Sequence, residues 1–185
     1  MKSMEAGAAE NAENREKDAP FQVAVVTLSD KGSRGEREDL SGPAIVEMVT
    51  AYGYEVVETQ IIPDDQKRIE EELIRLSDER KVDLILTTGG TGFAVRDVTP
   101  EATLHVATRL VPGIAEAMRM LSMKYTKRAM LSRAVSVLRN ETLIINMPGS
   151  PKAVRECLGE ILDSVDHGLK ILKAKDSECA RSEKD

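Results

Sequence analysis

The sequence predicts an α/β three-layer sandwich with a mostly parallel central sheet and one antiparallel edge strand. Short apolar runs rich in β-branched residues recur along the chain as "FQVAVVTLSD", "YEVVETQII" and "VDLILTTGG". Each is followed by a stretch with helical spacing, the alternation that builds a parallel sheet covered by helices. Near the end the pattern changes to two apolar runs separated only by Asn140 and Glu141. That is a hairpin signal, and it adds a strand running the opposite way.

The first run is continuous rather than alternating, as suits a central strand buried on both faces, and it closes at Ser29 and Asp30. The charged, glycine-containing "KGSRGERED" reads as a loop. In "SGPAIVEMVTAYG", Pro43 near the start and Gly53 at the end bound a helix. After the second strand, "PDDQKRIEEELIRLSDERK" sets Ile69, Leu73 and Leu76 at helical spacing, with Asp64 or Asp65 as the N-cap. Past the third strand, Thr99, Pro100 and Glu101 mark a helix start, a capping hydroxyl followed by proline where no N–H is needed. This helix is expected to run to about Arg109, and a methionine-bearing one should follow from about Gly113 to Lys124. The last helix puts Val154, Cys157, Leu158, Ile161, Leu162 and Val165 on one face.

At 185 residues the chain holds one domain, expected over 20–172, with disordered polar tails at 1–19 and 173–185 that carry too little apolar surface to offset ordering. The formal net charge of −6 excludes a global basic field for nucleic acid or an anionic membrane. No apolar run approaches the roughly 20 residues that span a bilayer, and the first residues lack the apolar segment of a signal peptide, so the cytoplasm is the expected compartment. Cys157 and Cys179 read as free thiols, and His105 and His167 have no local ligand partner, which argues against a structural metal site. Aromatics at 3% argue against a base-stacking surface.

Three strand-end loops carry the chemistry: Ser29-Asp30, the glycine loop at 89–92, and "NMPGSPK" at 146–152. In a parallel sheet these loops share one rim, where ligands of such folds collect. "TTGGTG" offers bare backbone at Gly89, Gly90 and Gly92, with hydroxyls at Thr87, Thr88 and Thr91, so successive N–H groups can face one anion. It lacks the lysine of a Walker A loop and the spacing of the dinucleotide motif, and a plain tight turn is the competing reading. In "PGSPK", Ser150 caps a helix opened by Pro151, and Lys152 adds a charge beside the free N–H groups, a second place for an anion or ordinary capping. Asp97 follows the glycine loop by five residues, where an acid would repel a bound phosphate unless Mg²⁺ lay between them. A salt bridge to Arg96 or Arg133 is the alternative. Asp64 either faces the same rim or caps its helix. Together, two anion cradles and one or two acids indicate phosphoryl or nucleotidyl chemistry on a phosphorylated small molecule.

"TTGGTGFAVRDVTPEAT" resembles the signature of molybdenum-cofactor biosynthesis proteins of the MogA type, shared with the plant Cnx and gephyrin G domains. "VTLSD", "IIPDD", "AMLSRAV" and "LIINMPGSPKAV" are similar to the family's other segments in the same order, so the likeness spans about 21–172. The continuation "RDVTPEAT" favours the MogA type over the related MoaB type. The resemblance implies an adenylyltransferase. It would transfer the adenylyl group of Mg-ATP to the terminal phosphate of molybdopterin, giving molybdopterin-AMP and pyrophosphate and priming molybdate insertion. The alternative is a non-catalytic MoaB-like binding or scaffold protein.

Carried over by motif, the catalytic pair falls on Asp64 and Asp97, with Mg²⁺ at Asp97. Ligand contacts fall on Ser29, Asp30, Gly89, Gly90, Thr91, Gly92, Ser132, Pro148, Gly149, Ser150 and Lys152. Ser150 departs from relatives that often carry Asn or Gln there. ATP is a co-substrate in this reading, and no tightly bound organic cofactor is expected. The resemblance also implies a homotrimer and hand-over of the product to a MoeA-type molybdate-inserting protein.

Overall fold

The computed structural model describes residues 19–173, and the expected tails fall outside the described residues except for Ala19 and Lys173. Lys173 forms an ion pair with Asp83 at 2.9 Å at the end of the last helix.

Six strands form one sheet: β1 (Gln22–Leu28), β2 (Glu55–Ile62), β3 (Leu84–Thr88), β4 (Arg109–Leu110), β5 (Ser136–Arg139) and β6 (Thr142–Met147), in the order β2-β1-β3-β6-β5-β4. β2, β1, β3 and β6 run parallel, β5 pairs antiparallel with β6, and β4 pairs antiparallel with β5. The helices are α1 (Asp30–Ser33), α2 (Ser41–Tyr52), α3 (Gln66–Ile74, continued by a π-turn over Arg75–Glu79), α4 (Thr99–His105), α5 (Pro112–Ser122) and α6 (Pro151–Leu172).

The continuous apolar runs are buried on both sides of the sheet. Val23, Val25, Leu84, Leu86, Leu143 and Ile145 face a core completed by α2, α5 and α6. Ala24, Val26, Leu28, Ile85 and Ile144 face a second core with Ile69, Leu73 and Leu76 after β2 and Ala102 in α4. Alternate residues of one strand thus serve opposite layers, which is the geometry of a three-layer sandwich. Among the described residues no helix is long and apolar enough to cross a membrane.

The structure corrects three local expectations. "KGSRGERED" begins with a short helix, α1, because the Ser29 hydroxyl accepts the Gly32 N–H at 3.0 Å and caps it. The helix after Thr99 stops at His105 rather than near Arg109, and Arg109–Leu110 instead pairs with Val137 and Leu138, so a two-residue strand lies outside the antiparallel one. Thr99 is not a cap: α4 has no side-chain cap, and the Thr99 hydroxyl donates to the Gly89 carbonyl at 3.0 Å.

Candidate active site

Because four neighbouring strands run the same way, their carboxyl ends bring Ser29, Asp64, the glycine loop and the Pro148–Ser150 turn to one edge. Direct bonds tie these loops together. The Ser29 N–H donates to the Ile62 carbonyl at 2.9 Å, the Thr88 hydroxyl to the Pro148 carbonyl at 2.7 Å, and the Ser41 hydroxyl to the Gly149 carbonyl at 2.9 Å.

The glycine loop is needed first for shape. Gly89 has φ +103, and a Cβ there would stand 2.4 Å from the Leu28 carbonyl oxygen. Gly90 has φ +62, and a Cβ would stand 2.2 Å from the Thr99 hydroxyl. These are left-handed conformations in which other residues are strained. The turn leaves a chemical resource. Among the described residues, the N–H groups of Gly89, Gly90, Thr91 and Gly92 donate to no protein acceptor. A run of free N–H groups at a strand end is a site of positive potential for an anion.

This loop separates two cavities of similar size. The first, about 310 Å³, is polar and is lined by Ser29, Asp64, Gly89, Gly90, Asp97 and Gly149, with Arg37, Glu38 and Asp39 from the loop before α2. The second, about 300 Å³, is mainly apolar and is lined by Met118, Leu131, Ala134 and Pro148, with Thr91, Gly92, Ser132, Arg119, Arg128 and Cys157. Gly89 and Gly90 face one, Thr91 and Gly92 the other.

The N-cap ambiguity at "PDDQ" is resolved by geometry. Asp65 caps α3, accepting the Arg68 N–H at 2.9 Å, which leaves Asp64 to face the polar cavity. Burial pushes the Asp64 carboxyl above the ordinary carboxylate range; the Asp30 N–H opposes this, and the negative charges of Asp30 and Asp97 add to it. Asp30 lines neither cavity. It sits beside Asp64 and is gripped by Arg96 through two bonds of 2.7 and 3.0 Å, and this guanidinium holds its carboxyl below the usual range.

Asp97 shares the polar cavity with Asp64. Its carboxylate accepts the Ala94 N–H at 2.9 Å. Neither arginine named as a salt-bridge partner takes that role: Arg96 pairs with Asp30, and Arg133 pairs with Glu101 and reaches the Asp97 carbonyl instead. Ser150 caps α6 through the Ala153 N–H at 3.1 Å. Lys152 lines neither cavity; its ammonium is 85% exposed and lies 3.9 Å from Glu156.

The sequence reading missed Asp39, and it named Arg133 only as a salt-bridge partner of the Asp97 carboxylate, whereas Arg133 binds the Asp97 carbonyl. Asp39 accepts the Thr27 hydroxyl at 2.7 Å and the N–H groups of Ser41 and Gly42 at 2.9 and 3.0 Å, so it both caps α2 and ties it to β1. An acid two residues before a helix start is the signal that would have found it. Cys157, read as core, is buried and also lines the apolar cavity, 3.1 Å from the Ser122 hydroxyl; burial pushes its thiol up.

A free-amide loop between a polar and an apolar cavity fits a ligand with a phosphate at one end and a ring at the other. The family model described as "Probable molybdopterin binding domain" matches residues 24–167. The chain belongs to that family. The molybdopterin adenylyltransferase of Helicobacter pylori strain J99 is 44% identical over 154 residues, covering 82% of this chain and 88% of its own. The molybdopterin adenylyltransferase of Escherichia coli K12 is 44% identical over 156 residues, covering 80% of each chain. The crystal structure of the molybdopterin biosynthesis enzyme MoaB from Thermus thermophilus superposes with a TM-score of 0.80 at 44% identity, over 85% of this chain and 99% of its own. The likeness therefore spans chains that carry the adenylyltransferase name and a structure that carries the MoaB name.

Proposed function

We propose that this protein is a molybdopterin adenylyltransferase of molybdenum-cofactor biosynthesis, acting in the cytoplasm. It joins the terminal phosphate of molybdopterin to the adenylyl group of ATP and releases pyrophosphate. The observation that carries this reading is the run of four N–H groups at Gly89–Gly92 that have no protein acceptor among the described residues, placed between Asp64 and Asp97 on one side and an apolar cavity on the other.

The reaction sets a phosphate oxygen against the α-phosphorus of ATP, so two anions must be brought together. The loop N–H groups supply fixed positive potential where negative charge gathers. The apolar cavity takes the pterin ring, with Ser132 and Pro148 in its wall, and the polar cavity takes the nucleotide phosphates along Ser29, Gly89 and Gly90. Holding both phosphates against one rigid loop supplies much of the acceleration by alignment alone.

The polar cavity also contains Glu38 and Asp39, so its lining acids outnumber Arg37, its one basic lining residue. Such a cavity accepts a triphosphate only with a cation. Among the described residues no group of three or more acids, histidines or cysteines could hold a metal by itself. That fits Mg²⁺, which takes one or two carboxylates and completes its shell with phosphate oxygens and water. Asp97, with Asp64 beside it, would hold the ion, which would neutralise phosphate charge during transfer. Asp30 and Lys152 stand behind the rim, as a support for Asp64 and in a helix-surface pair with Glu156.

Met120, Met123, Tyr125, Met130 and Leu131 are exposed on α5 and the turn after it. An apolar face of this kind supports the homotrimer reading. The product, a mixed anhydride, is then consumed by a MoeA-type molybdate-inserting protein. The test is anaerobic incubation with molybdopterin and α-labelled Mg-ATP, with a no-pterin control and Asp97→Asn. Pterin-dependent label that vanishes in the variant is the expected result. Pterin binding without label would identify a MoaB-like carrier or scaffold.

A further inference from the structure

The loop that carries Asp97 is not anchored by its apolar side chains. Phe93 is 71% exposed and Val95 97% exposed, so neither anchors the loop by burial. Its internal bonds are the Ala94 N–H to the Asp97 carboxylate and the Asp97 N–H to the Ala94 carbonyl, both 2.9 Å. Arg96 ties the middle of the loop to Asp30 at 2.7 and 3.0 Å, and the grip on its two ends comes from one residue, Arg133. The Arg133 N–H donates to the Thr91 carbonyl at 3.0 Å, its Nε to the Gly92 carbonyl at 2.7 Å, one terminal nitrogen to the Asp97 carbonyl, and the other pairs with Glu101 of α4.

We propose that Arg133 is the positioning residue for Asp97, its guanidinium stapling the two ends of the 92–97 loop to α4 while leaving the Asp97 carboxylate to the polar cavity. The planar fork of an arginine offers donors in several fixed directions at once, and here they meet two carbonyls and one carboxylate. A lysine ammonium has no such fork. Arg133 is therefore committed to the loop, and the role differs from that of a phosphate-binding arginine. This inference rests on the functional reading for its kinetic consequence and on geometry alone for the staple.

The experiment compares wild type with Arg133→Lys and Arg133→Ala, each checked for fold by circular dichroism. The lysine variant keeps the aliphatic stem and guards against simple loss of packing. Amide exchange over 92–98 is read first. Faster exchange in both variants supports the staple, and unchanged exchange overturns it. Kinetics are read second. The expected pattern is kcat reduced about 10- to 100-fold, as for a reacting group displaced by about an ångström, with the KM for molybdopterin held within about twofold and the Mg²⁺ midpoint raised. Partial recovery of Arg133→Ala by added methylguanidinium is expected. A raised KM with unchanged kcat would overturn the positioning role and make Arg133 a ligand-binding residue. Wild type without adenylyl transfer would defeat the functional reading, and the exchange result would still decide the staple.

Discussion

Asp30 and Asp64 hold each other through a reciprocal pair of hydrogen bonds: the Asp30 N–H donates to the Asp64 carboxylate at 3.0 Å, and the Asp64 N–H donates to the Asp30 carboxylate at 3.1 Å. The pair joins the loops after β1 and β2, and places two negative charges side by side. Arg96, from the loop after β3, closes on Asp30 and offsets one of them. Three strand-end loops are thereby locked through two carboxylates. The charge on Asp64 remains, half-buried and facing the cavity.

Asp64→Asn should therefore remove activity while raising stability at neutral pH. The folded-state pKa of Asp64 is raised above its ordinary 3.8. An acid with a raised folded value contributes stability that is full below the unfolded value and lost as pH rises through the folded one. Asparagine keeps an oxygen for the Asp30 N–H and carries no charge. The variant's Tm should exceed that of wild type at pH 7, and the gap should close as pH falls towards 3.8. A variant less stable than wild type at pH 7 would show that burial does not set the Asp64 charge at a disadvantage.

Arg96→Ala should raise the titration of both acids. Asp30 is held low chiefly by its hydrogen bond to Arg96, and the same guanidinium opposes the rise at Asp64. A lowered folded pKa supplies stability that is present above the unfolded value and lost as pH falls through the folded value. Removing Arg96 should therefore lower the Tm at neutral pH and leave it little changed at acidic pH where Asp30 is protonated. Carboxyl NMR titrations of wild type and variant are the check, with both midpoints expected to move upward.

The two glycine substitutions should separate fold from function. In Gly89→Ala the new methyl meets backbone, the Leu28 carbonyl oxygen at 2.4 Å, at φ +103. Neither constraint can relax cheaply, and a loss of about 2 kcal/mol or more is expected. In Gly92→Ala the methyl meets the Asp97 carboxylate at 2.8 Å, with φ outside the left-handed region. That variant should unfold within a few degrees of wild type but turn over poorly. Chemical denaturation and the labelled-ATP assay distinguish the two.

Much of this arrangement was legible because burial leaves a periodic trace. The six apolar positions predicted for the last helix are all buried, and the continuous runs of β1 and β3 are the strands that face two layers. Arg109–Leu110 carries no such trace, since a two-residue strand is defined by its partners Leu138 and Val137. The Thr99 hydroxyl had the right neighbours for a cap, but tertiary packing gave it the Gly89 carbonyl. Arg133 was legible only as a possible salt-bridge partner of Asp97; that it binds main-chain carbonyls at Gly92 and Asp97 could not be read, since these acceptors lie 41 and 36 residues away.

Asn146 supplies the last prediction, on what supports the rim from below. Its side chain is fully buried; the amide nitrogen donates to the Thr87 hydroxyl at 3.0 Å and the Thr103 hydroxyl at 2.9 Å, and the amide oxygen accepts the Val135 N–H at 3.3 Å. One side chain of β6 thus ties β3, α4 and the chain entering β5 just beneath the glycine loop. Asn146→Ala leaves a small void and deprives buried hydroxyls of a donor, and each such unsatisfied group costs about 1–3 kcal/mol. A total loss of roughly 2–4 kcal/mol is expected. Asn146→Asp should be worse at neutral pH, because it replaces two donors with a buried charge, and it should recover part of its stability as pH falls and the acid is protonated. Urea unfolding of the two variants at pH 7 and pH 5 measures this, and an Asn146→Asp variant as stable as wild type at pH 7 would show that the buried network does not depend on the amide donors.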